Sequence, residues 1–92
     1  MKSIIILGST GSIGTNTLDI VQRFPDEFRV VGLTAGNNID KLEAQIRQFT
    51  PIAVAVSTES SAAILRSRCA DLPVEIMAGE EGITQVASML DA

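Results

Sequence analysis

The apolar residues of this chain fall into four short runs that predict buried β-strands. They lie at Lys2–Leu7, Phe28–Thr34, Ile52–Val56 and Val74–Met77. Nearly continuous apolar runs of this length are typical of parallel strands that are covered on both faces of a sheet. We therefore expect a sheet with helices packed against it.

The segments between these runs predict amphipathic helices, because their apolar residues recur every three or four positions. The first helix covers about residues 13 to 24, and its apolar face is formed by Ile13, Leu18, Val21 and Phe24. Two more are predicted at 39–49 and 58–69, and prolines at 25 and 51 end the first two. Residues 79–82 are either a turn or the start of a fourth helix, whose apolar face is formed by Ile83, Val86, Ala87 and Leu90.

Strands and helices alternate without a break, in the order β-α-β-α-β-α-β-α. Crossover helices between consecutive strands imply parallel pairing and right-handed crossovers. The predicted fold class is therefore α/β, a Rossmann-like parallel sheet with alternating helices. Since a doubly wound sheet normally adds further strands beyond the first, we expect residues 1–92 to be the N-terminal part of a longer, cofactor-binding domain. The catalytic and C-terminal domains would lie outside them.

The glycine-rich loop Gly8–Gly14 joins the first strand to the first helix and is the strongest candidate for a binding site. Gly8 is expected to let the chain turn where a Cβ would clash, Gly11 to let a phosphate approach the backbone, and Gly14 to let the helix pack closely on the sheet. The spacing is G-x-x-G-x-x-G, in place of the commoner G-x-G-x-x-G. Its place between a buried strand and a helix indicates a dinucleotide site, with a purely structural tight turn as the alternative.

Backbone amides of this loop are expected to bind the pyrophosphate of the dinucleotide. The amides of Thr10 to Ile13 lie at the start of the first helix, where unpaired N–H groups and the positive end of the helix dipole favour an anion. The hydroxyls of Ser9, Thr10 and Ser12 are expected to add donors. A mononucleotide P-loop is disfavoured, because no G-K-[ST] follows the glycines.

The end of the second strand distinguishes NADP from NAD. An NAD site usually has an Asp or Glu there, which accepts a hydrogen bond from the ribose 2′-hydroxyl. This chain has no acid between Leu33 and Asn38, and a carboxylate would repel a 2′-phosphate, so NADP(H) is favoured. Gly36 permits close backbone approach, and Asn37 and Asn38 can donate hydrogen bonds. Either asparagine could instead start the second helix as its N-cap.

Composition narrows the chemistry that these residues can perform. The chain has 11 acidic and 7 basic residues, and this net charge of −4 weighs against nucleic acid as a partner. Histidine is absent and Cys69 is the only cysteine, so a Ser–His or Cys–His nucleophile pair and a thiolate metal cluster cannot form. The acids Asp26–Glu27, Glu80–Glu81 and Asp19 are interpreted as solvated, so no catalytic or metal-ligating residue is predicted.

No apolar run reaches the roughly 20 residues that span a bilayer, so we expect no membrane partner and a cytoplasmic location.

The glycine loop and the residues around it resemble one family, the 1-deoxy-D-xylulose 5-phosphate reductoisomerases. The likeness begins at Ile6–Gly14 and continues through Thr17–Asp19, Phe28–Val31 and Ala35–Asn38. In the second helix and its exit it extends to Leu42, Gln45, Phe49 and Pro51. It covers essentially the whole chain and is sharpest over residues 4 to 51.

This resemblance implies where NADPH would bind. The phosphates of the cofactor would be held by Thr10, Gly11, Ser12 and Ile13. The adenosine ribose and its 2′-phosphate would be surrounded by Gly36, Asn37 and Asn38. Family members often have a basic residue in place of Asn37, and that difference bears on how strongly the 2′-phosphate is held.

The resemblance also implies the reaction of a full-length parent protein. The family rearranges 1-deoxy-D-xylulose 5-phosphate to an aldehyde and reduces it with NADPH to 2-C-methyl-D-erythritol 4-phosphate, a step of isoprenoid biosynthesis. Mg²⁺ or Mn²⁺ acts as the Lewis acid. The metal ligands and the substrate pocket lie further along the family's chain, so residues 1–92 alone are predicted to be inactive. The parent is expected to be a homodimer.

Two other interpretations stay open at this point. Aspartate-semialdehyde dehydrogenases also carry G-x-T-G-x-x-G at their N-terminus, although Ser12–Gly14 with Thr17–Asp19 fits the reductoisomerases better. A small non-catalytic module that senses a redox cofactor is the other. A cysteine nucleophile further along the chain would indicate the dehydrogenase, whereas a cluster of acids there would indicate the reductoisomerase. Tight cofactor binding by a chain that folds independently would indicate the module.

Overall fold

The computed structural model describes residues 2–90 and contains the predicted alternation of four strands and four helices. The strands are β1 (Lys2–Ile6), β2 (Phe28–Thr34), β3 (Ala53–Val56) and β4 (Glu75–Ala78). The helices are α1 (Ser12–Arg23), α2 (Ile39–Phe49), α3 (Glu59–Arg68) and α4 (Gly79–Ala87). Neighbouring strands pair in parallel in the order β1-β2-β3-β4, which confirms the α/β, Rossmann-like fold class.

The helices cover the two faces of the sheet unequally. Helices α1, α2 and α3 pack on one face, because right-handed crossovers that add strands in one direction place their helices on the same side. The largest inaccessible side chains of that face are Leu33, Leu42, Ile46, Val54 and Leu65. Burying each of them contributes about 1.5–3 kcal/mol, so this face holds most of the apolar stabilisation.

Helix α4 packs on the opposite face, over small residues that let it approach the strands. Its Val86 packs in one cluster with Ala53 and Ala55 of β3. A Cβ on Gly32 of β2 would lie only 2.9 Å from Cγ1 of Val86. The last helix thus crosses back over β3 and β2 and gives the sheet a second covered face.

Strand β1 lies at one edge of the sheet. The sequence predicted a strand that is covered on both faces, and this is wrong for the first half of β1. Lys2 and Ser3 are exposed, and burial is complete only at Ile6. Leu7, which the apolar pattern places in the strand, is 61% exposed and belongs to the following turn. The strand ends early because the backbone turns at Gly8.

The predicted apolar faces of α1 and α4 are wrong at their ends. In α1 the buried positions are Gly14, Leu18 and Val21, whereas Ile13 is 84% exposed and Phe24 is 48% exposed. In α4 the buried positions are Gly82 and Val86, whereas Ala87 and Leu90 are exposed. Successive residues of a helix are rotated by about 100°, so a residue next to the buried row points away from the sheet. In both helices one of the buried positions is a glycine, which a search for apolar side chains does not detect.

The other boundaries agree with the predicted ones to within one or two residues. Strands β3 and β4 begin at Ala53 and Glu75, so Ile52 and Val74 precede them. Helix α4 begins at Gly79, which decides between a turn and a helix. The longest helix, α1, has 12 residues, and no helix among residues 2–90 combines the length and the apolar character that a membrane span needs.

Candidate functional site

The glycine loop lies at the carboxyl end of β1 and is fastened to the end of β2. The amide of Gly8 donates to Oγ1 of Thr34 at 3.1 Å, and the amide of Ser9 donates to the Thr34 carbonyl at 2.8 Å. Gly8 has φ +70°, but a Cβ on it would meet nothing within 4 Å. The predicted clash is therefore wrong, and it is the left-handed backbone conformation that favours glycine at this position.

Gly14 is the position at which α1 makes its closest approach. A Cβ there would lie 2.3 Å from the Gly8 carbonyl oxygen and 2.7 Å from Cα of Ser9. The close approach predicted for this glycine is present, but the contacted backbone is that of the loop rather than that of the sheet. The first turn of α1 therefore packs directly against the backbone of Gly8 and Ser9.

The N-terminus of α1 is left open to an external anion. Its N-cap residue, Gly11, has no side chain that could accept from the first amides, and its first turn contains no acidic residue. The other three helices have acids in their first turns, at Asp40, Glu59, Glu80 and Glu81. Ser12 and Ile13 are exposed, and the first amides of a helix have no partner within it. The positive end of this helix dipole therefore has no carboxylate of its own first turn to offset it.

The amide of Gly11 is not an open donor, which corrects the prediction for that residue. It donates to the Gly8 carbonyl at 3.1 Å and closes a turn, and the first bond of α1 runs from the Thr15 amide to the Gly11 carbonyl at 2.9 Å. The space above Gly11 is open, because a Cβ there would meet only the Gly8 carbonyl oxygen, at 3.4 Å. The amides of Ser12 and Ile13 are the donors of the first turn.

Ser9 does not offer its hydroxyl to a ligand, contrary to the prediction. Its side chain is completely inaccessible, and Oγ has no hydrogen-bond partner within residues 2–90. Ser9 instead accepts at its backbone carbonyl, from Nε2 of Gln45 at 2.8 Å. It supports the loop from beneath.

Helix α2 holds the loop at two points that sequence reasoning missed. Buried Gln45 bonds the Ser9 carbonyl, and Nζ of Lys41 lies 3.1 Å from the Thr10 carbonyl. In a trans peptide the C=O and the next N–H point in opposite directions. Because Gln45 draws the Ser9 carbonyl towards α2, the amide of Thr10 points away from that helix.

The segment after β2 is fixed by the side chains of its two asparagines. Oδ1 of Asn38 accepts from the Lys41 amide at 3.3 Å, so Asn38 is the N-cap of α2, which was the alternative considered for it. Oδ1 of Asn37 accepts from Oγ of Ser61 at 2.8 Å and from Oγ1 of Thr58 at 3.3 Å, at the start of α3. These bonds use the carboxamide oxygens and leave the NH₂ groups as neutral donors. Around Gly36 there is open space, since a Cβ would approach nothing closer than Oγ of Ser57 at 3.8 Å.

The remaining chemically active side chains lie away from this site. Cys69 is buried in the main core, and burial raises the pKa of its thiol, as suits a core residue rather than a nucleophile. Asp19 pairs with Arg23 on the exposed side of α1. Within residues 2–90 no three His, Cys, Asp or Glu side chains converge as a metal site would require. Among residues 2–90, the feature that suits a ligand is therefore the exposed N-terminus of α1 at the carboxyl edge of the sheet.

Comparison with known proteins identifies one family for this chain. The family model for 1-deoxy-D-xylulose 5-phosphate reductoisomerase matches residues 4–92. Curated relatives of that name include the protein of Microcystis aeruginosa, 56% identical over 95 aligned positions, and that of Nostoc punctiforme, 51% identical over 94. Each alignment covers 100% of this chain and 24% of the relative, so the chain spans about a quarter of the length of these relatives.

Solved structures give the same result. A DOX-P reductoisomerase in complex with NADPH, fosmidomycin and magnesium superimposes with a TM-score of 0.92 at 35% identity, over 100% of this chain and 23% of that one. The Zymomonas mobilis enzyme in complex with NADPH gives 0.91 at 31% identity, over 96% of this chain and 23% of that one. These matches decide against the aspartate-semialdehyde dehydrogenase alternative. The resemblance predicted from the glycine loop is thus confirmed, and the chain belongs to the 1-deoxy-D-xylulose 5-phosphate reductoisomerase family.

Proposed function

We propose that residues 1–92 are the N-terminal part of the NADPH-binding domain of a reductoisomerase, and that they bind the adenosine and pyrophosphate end of the cofactor. The observation that carries this proposal is the open N-terminus of α1, which has neither a capping side chain nor an acid in its first turn. It lies at the carboxyl ends of parallel strands, where ligands bind in open α/β sheets. Two of the similar solved structures hold NADPH.

Each part of the loop has its own role in this proposal. The amides of Thr10, Ser12 and Ile13 bind the pyrophosphate, with the hydroxyls of Thr10 and Ser12 as further donors. Gly8, Gly11 and Gly14 set the shape of the loop, and Ser9 supports it through its carbonyl. Gly36, Asn37 and Asn38 line the place of the adenosine ribose and its 2′-phosphate.

The full-length protein would convert 1-deoxy-D-xylulose 5-phosphate to 2-C-methyl-D-erythritol 4-phosphate. Bound NADPH supplies the hydride of the reduction step, and Mg²⁺ or Mn²⁺ polarises the substrate oxygens. No group of residues between 2 and 90 suits that ion, so we place its ligands, the catalytic residues and the substrate pocket outside residues 1–92. The chain alone would then bind cofactor without turnover. A cytoplasmic location and a homodimeric parent remain predictions.

The proposal is tested by titrating the 92-residue chain with NADPH and following the fluorescence of the nicotinamide or the heat of binding. Saturable binding is expected, with 2′,5′-ADP competing and nicotinamide mononucleotide failing to compete, because only the adenosine half contacts this chain. In a self-contained module that senses the whole dinucleotide, both compounds would instead displace NADPH. Circular dichroism monitors the fold in the same samples. A folded chain that binds no NADPH would sink the proposal.

Gln45→Leu is expected to lower both the stability of the chain and its affinity for NADPH. The change removes the 2.8 Å donor of the Ser9 carbonyl and leaves it only the 3.4 Å contact from Oγ1 of Thr15, and the loss of a buried hydrogen bond costs about 1 kcal/mol. It also releases the peptide that turns the Thr10 amide away from α2. Urea unfolding and NADPH titration measure the two effects. Gln48→Leu, on an exposed position of the same helix, is the matched control, and equal behaviour of the two variants would contradict the role of Gln45.

A further inference from the structure

Lys41 has no assigned role, although its ammonium group lies against the loop that we propose to bind phosphate. Its Nζ is 3.1 Å from the Thr10 carbonyl oxygen, across 31 residues of sequence. Its backbone amide donates to the N-cap side chain of Asn38, so the residue is fixed in the first turn of α2. The ammonium therefore lies between the loop after β1 and the turn after β2.

Among the described basic side chains, only Lys41 is both unpaired and located at the carboxyl edge of the sheet. Among residues 2–90, four of the seven basic residues are paired with carboxylates: Arg23 with Asp19, Arg47 with Asp71, Arg66 with Glu59 and Arg68 with Asp40. Lys2 and Arg29 stand at the starts of β1 and β2, at the opposite edge of the parallel sheet. Lys41 is the one basic side chain described at the carboxyl edge without a carboxylate within ion-pair distance.

The neighbouring acid is neutralised by a different residue. Asp40 precedes Lys41 in the first turn of α2 and would repel a phosphate placed there. Its carboxylate is paired with Arg68 from the end of α3. The local charge at the start of α2 is therefore set by the lysine.

Asn37 cannot provide this charge. Its carboxamide is neutral, and its oxygen is occupied by Ser61 and Thr58. An ammonium group has three donors, and the Thr10 carbonyl uses one of those of Lys41, so two are available to phosphate oxygens. The flexible four-carbon stem lets the group follow a ligand that enters between the two turns.

We propose that Lys41 is the specificity-determining cation for the 2′-phosphate of NADPH in this chain, replacing a basic residue at the strand end. This inference rests on the proposed function, since it needs a dinucleotide at this edge. In an adenine dinucleotide the adenosine ribose lies between the first loop and the end of the second strand. The 2′-position is where NADPH differs from NADH, so a cation there selects between the two cofactors.

The test compares the dissociation constants of NADPH and NADH for the wild-type chain and for Lys41→Met. Loss of a charge-assisted hydrogen bond corresponds to about a ten- to hundredfold weaker binding of NADPH, while the constant for NADH changes less than about twofold if the contact is confined to the 2′-phosphate. Lys41→Arg is expected to keep the preference for NADPH. Lys2→Met removes the same charge at the opposite edge and is expected to leave both constants unchanged.

Each other outcome has a defined meaning. Equal weakening of NADPH and NADH by Lys41→Met would assign the lysine to the loop or the pyrophosphate and overturn the inference. An unchanged ratio of the two constants would also overturn it. Wild-type chain that binds neither cofactor would overturn the proposed function, and the inference with it. Since Lys41 is exposed, the variant is expected to fold, and circular dichroism verifies this.

Discussion

Gly14→Ala is expected to destabilise the chain by about 3 kcal/mol or more. The added Cβ would lie 2.3 Å from the Gly8 carbonyl oxygen and 2.7 Å from Cα of Ser9, and both are backbone atoms that cannot rotate away. Overpacking of well-packed sites typically costs about 1–3 kcal/mol, and a contact with backbone falls at the upper end. A chain of this length has a stability of only about 5–14 kcal/mol, so a large fraction would be lost.

Thermal unfolding followed by circular dichroism measures this effect. For a domain of this size about 1 kcal/mol corresponds to 4–8 °C in Tm, so the midpoint is expected to fall by about 12 °C or more. Gly11→Ala is the matched control, because a Cβ there lies at an ordinary 3.4 Å from the same Gly8 oxygen. If Gly14→Ala melted together with Gly11→Ala, the close packing of α1 against the loop would be disproved.

Elements with local boundary signals were predicted well from the sequence. Strand β2 has the predicted limits Phe28–Thr34, and α2 ends at Phe49, just before Thr50 and Pro51. Continuous β-branched residues, prolines and capping residues act over a few positions, so they can be recognised without knowledge of the fold. The same holds for the glycine loop, whose position between strand and helix was correct.

Burial at element ends was predicted less well, because it depends on what lies opposite. Ile13 and Leu7 are apolar but exposed. Ile13 lies beside the buried row of α1, and Leu7 belongs to the turn after β1. Ser9 is polar but fully buried, because α2 covers it. An apolar pattern predicts burial from the hydrophobicity of each side chain. It therefore misses Gly14, which is one of the buried positions of α1.

Contacts between distant segments could not be predicted from the sequence at all. Gln45 and Ser9 are 36 residues apart, and Lys41 and Thr10 are 31 apart. Their meeting depends on the parallel order of β1 and β2, which places the loop after one strand beside the helix after the next. The most informative side chains around the loop therefore emerged only with the fold.

Gly11→Val is expected to abolish detectable NADPH binding while leaving the fold intact. Gly11 has φ −79° and ψ 175°, an extended conformation that valine adopts readily, and a Cβ would meet only the Gly8 oxygen at 3.4 Å. The isopropyl group would instead occupy the space over the exposed first turn of α1, where the proposed pyrophosphate contacts its amides. Removing several amide–phosphate hydrogen bonds of about 1.5–3 kcal/mol each corresponds to a loss of at least a hundredfold in affinity.

Titration of NADPH against the variant, with helix content measured by circular dichroism, separates binding from folding. Helix content and Tm are expected to stay close to those of Gly11→Ala, in contrast to Gly14→Ala, whose defect lies in the fold. The two glycines of one loop would then fail for different reasons, because one faces protein backbone and the other faces the ligand. A Gly11→Val chain that bound NADPH as tightly as the wild type would mean that no phosphate approaches the N-terminus of α1.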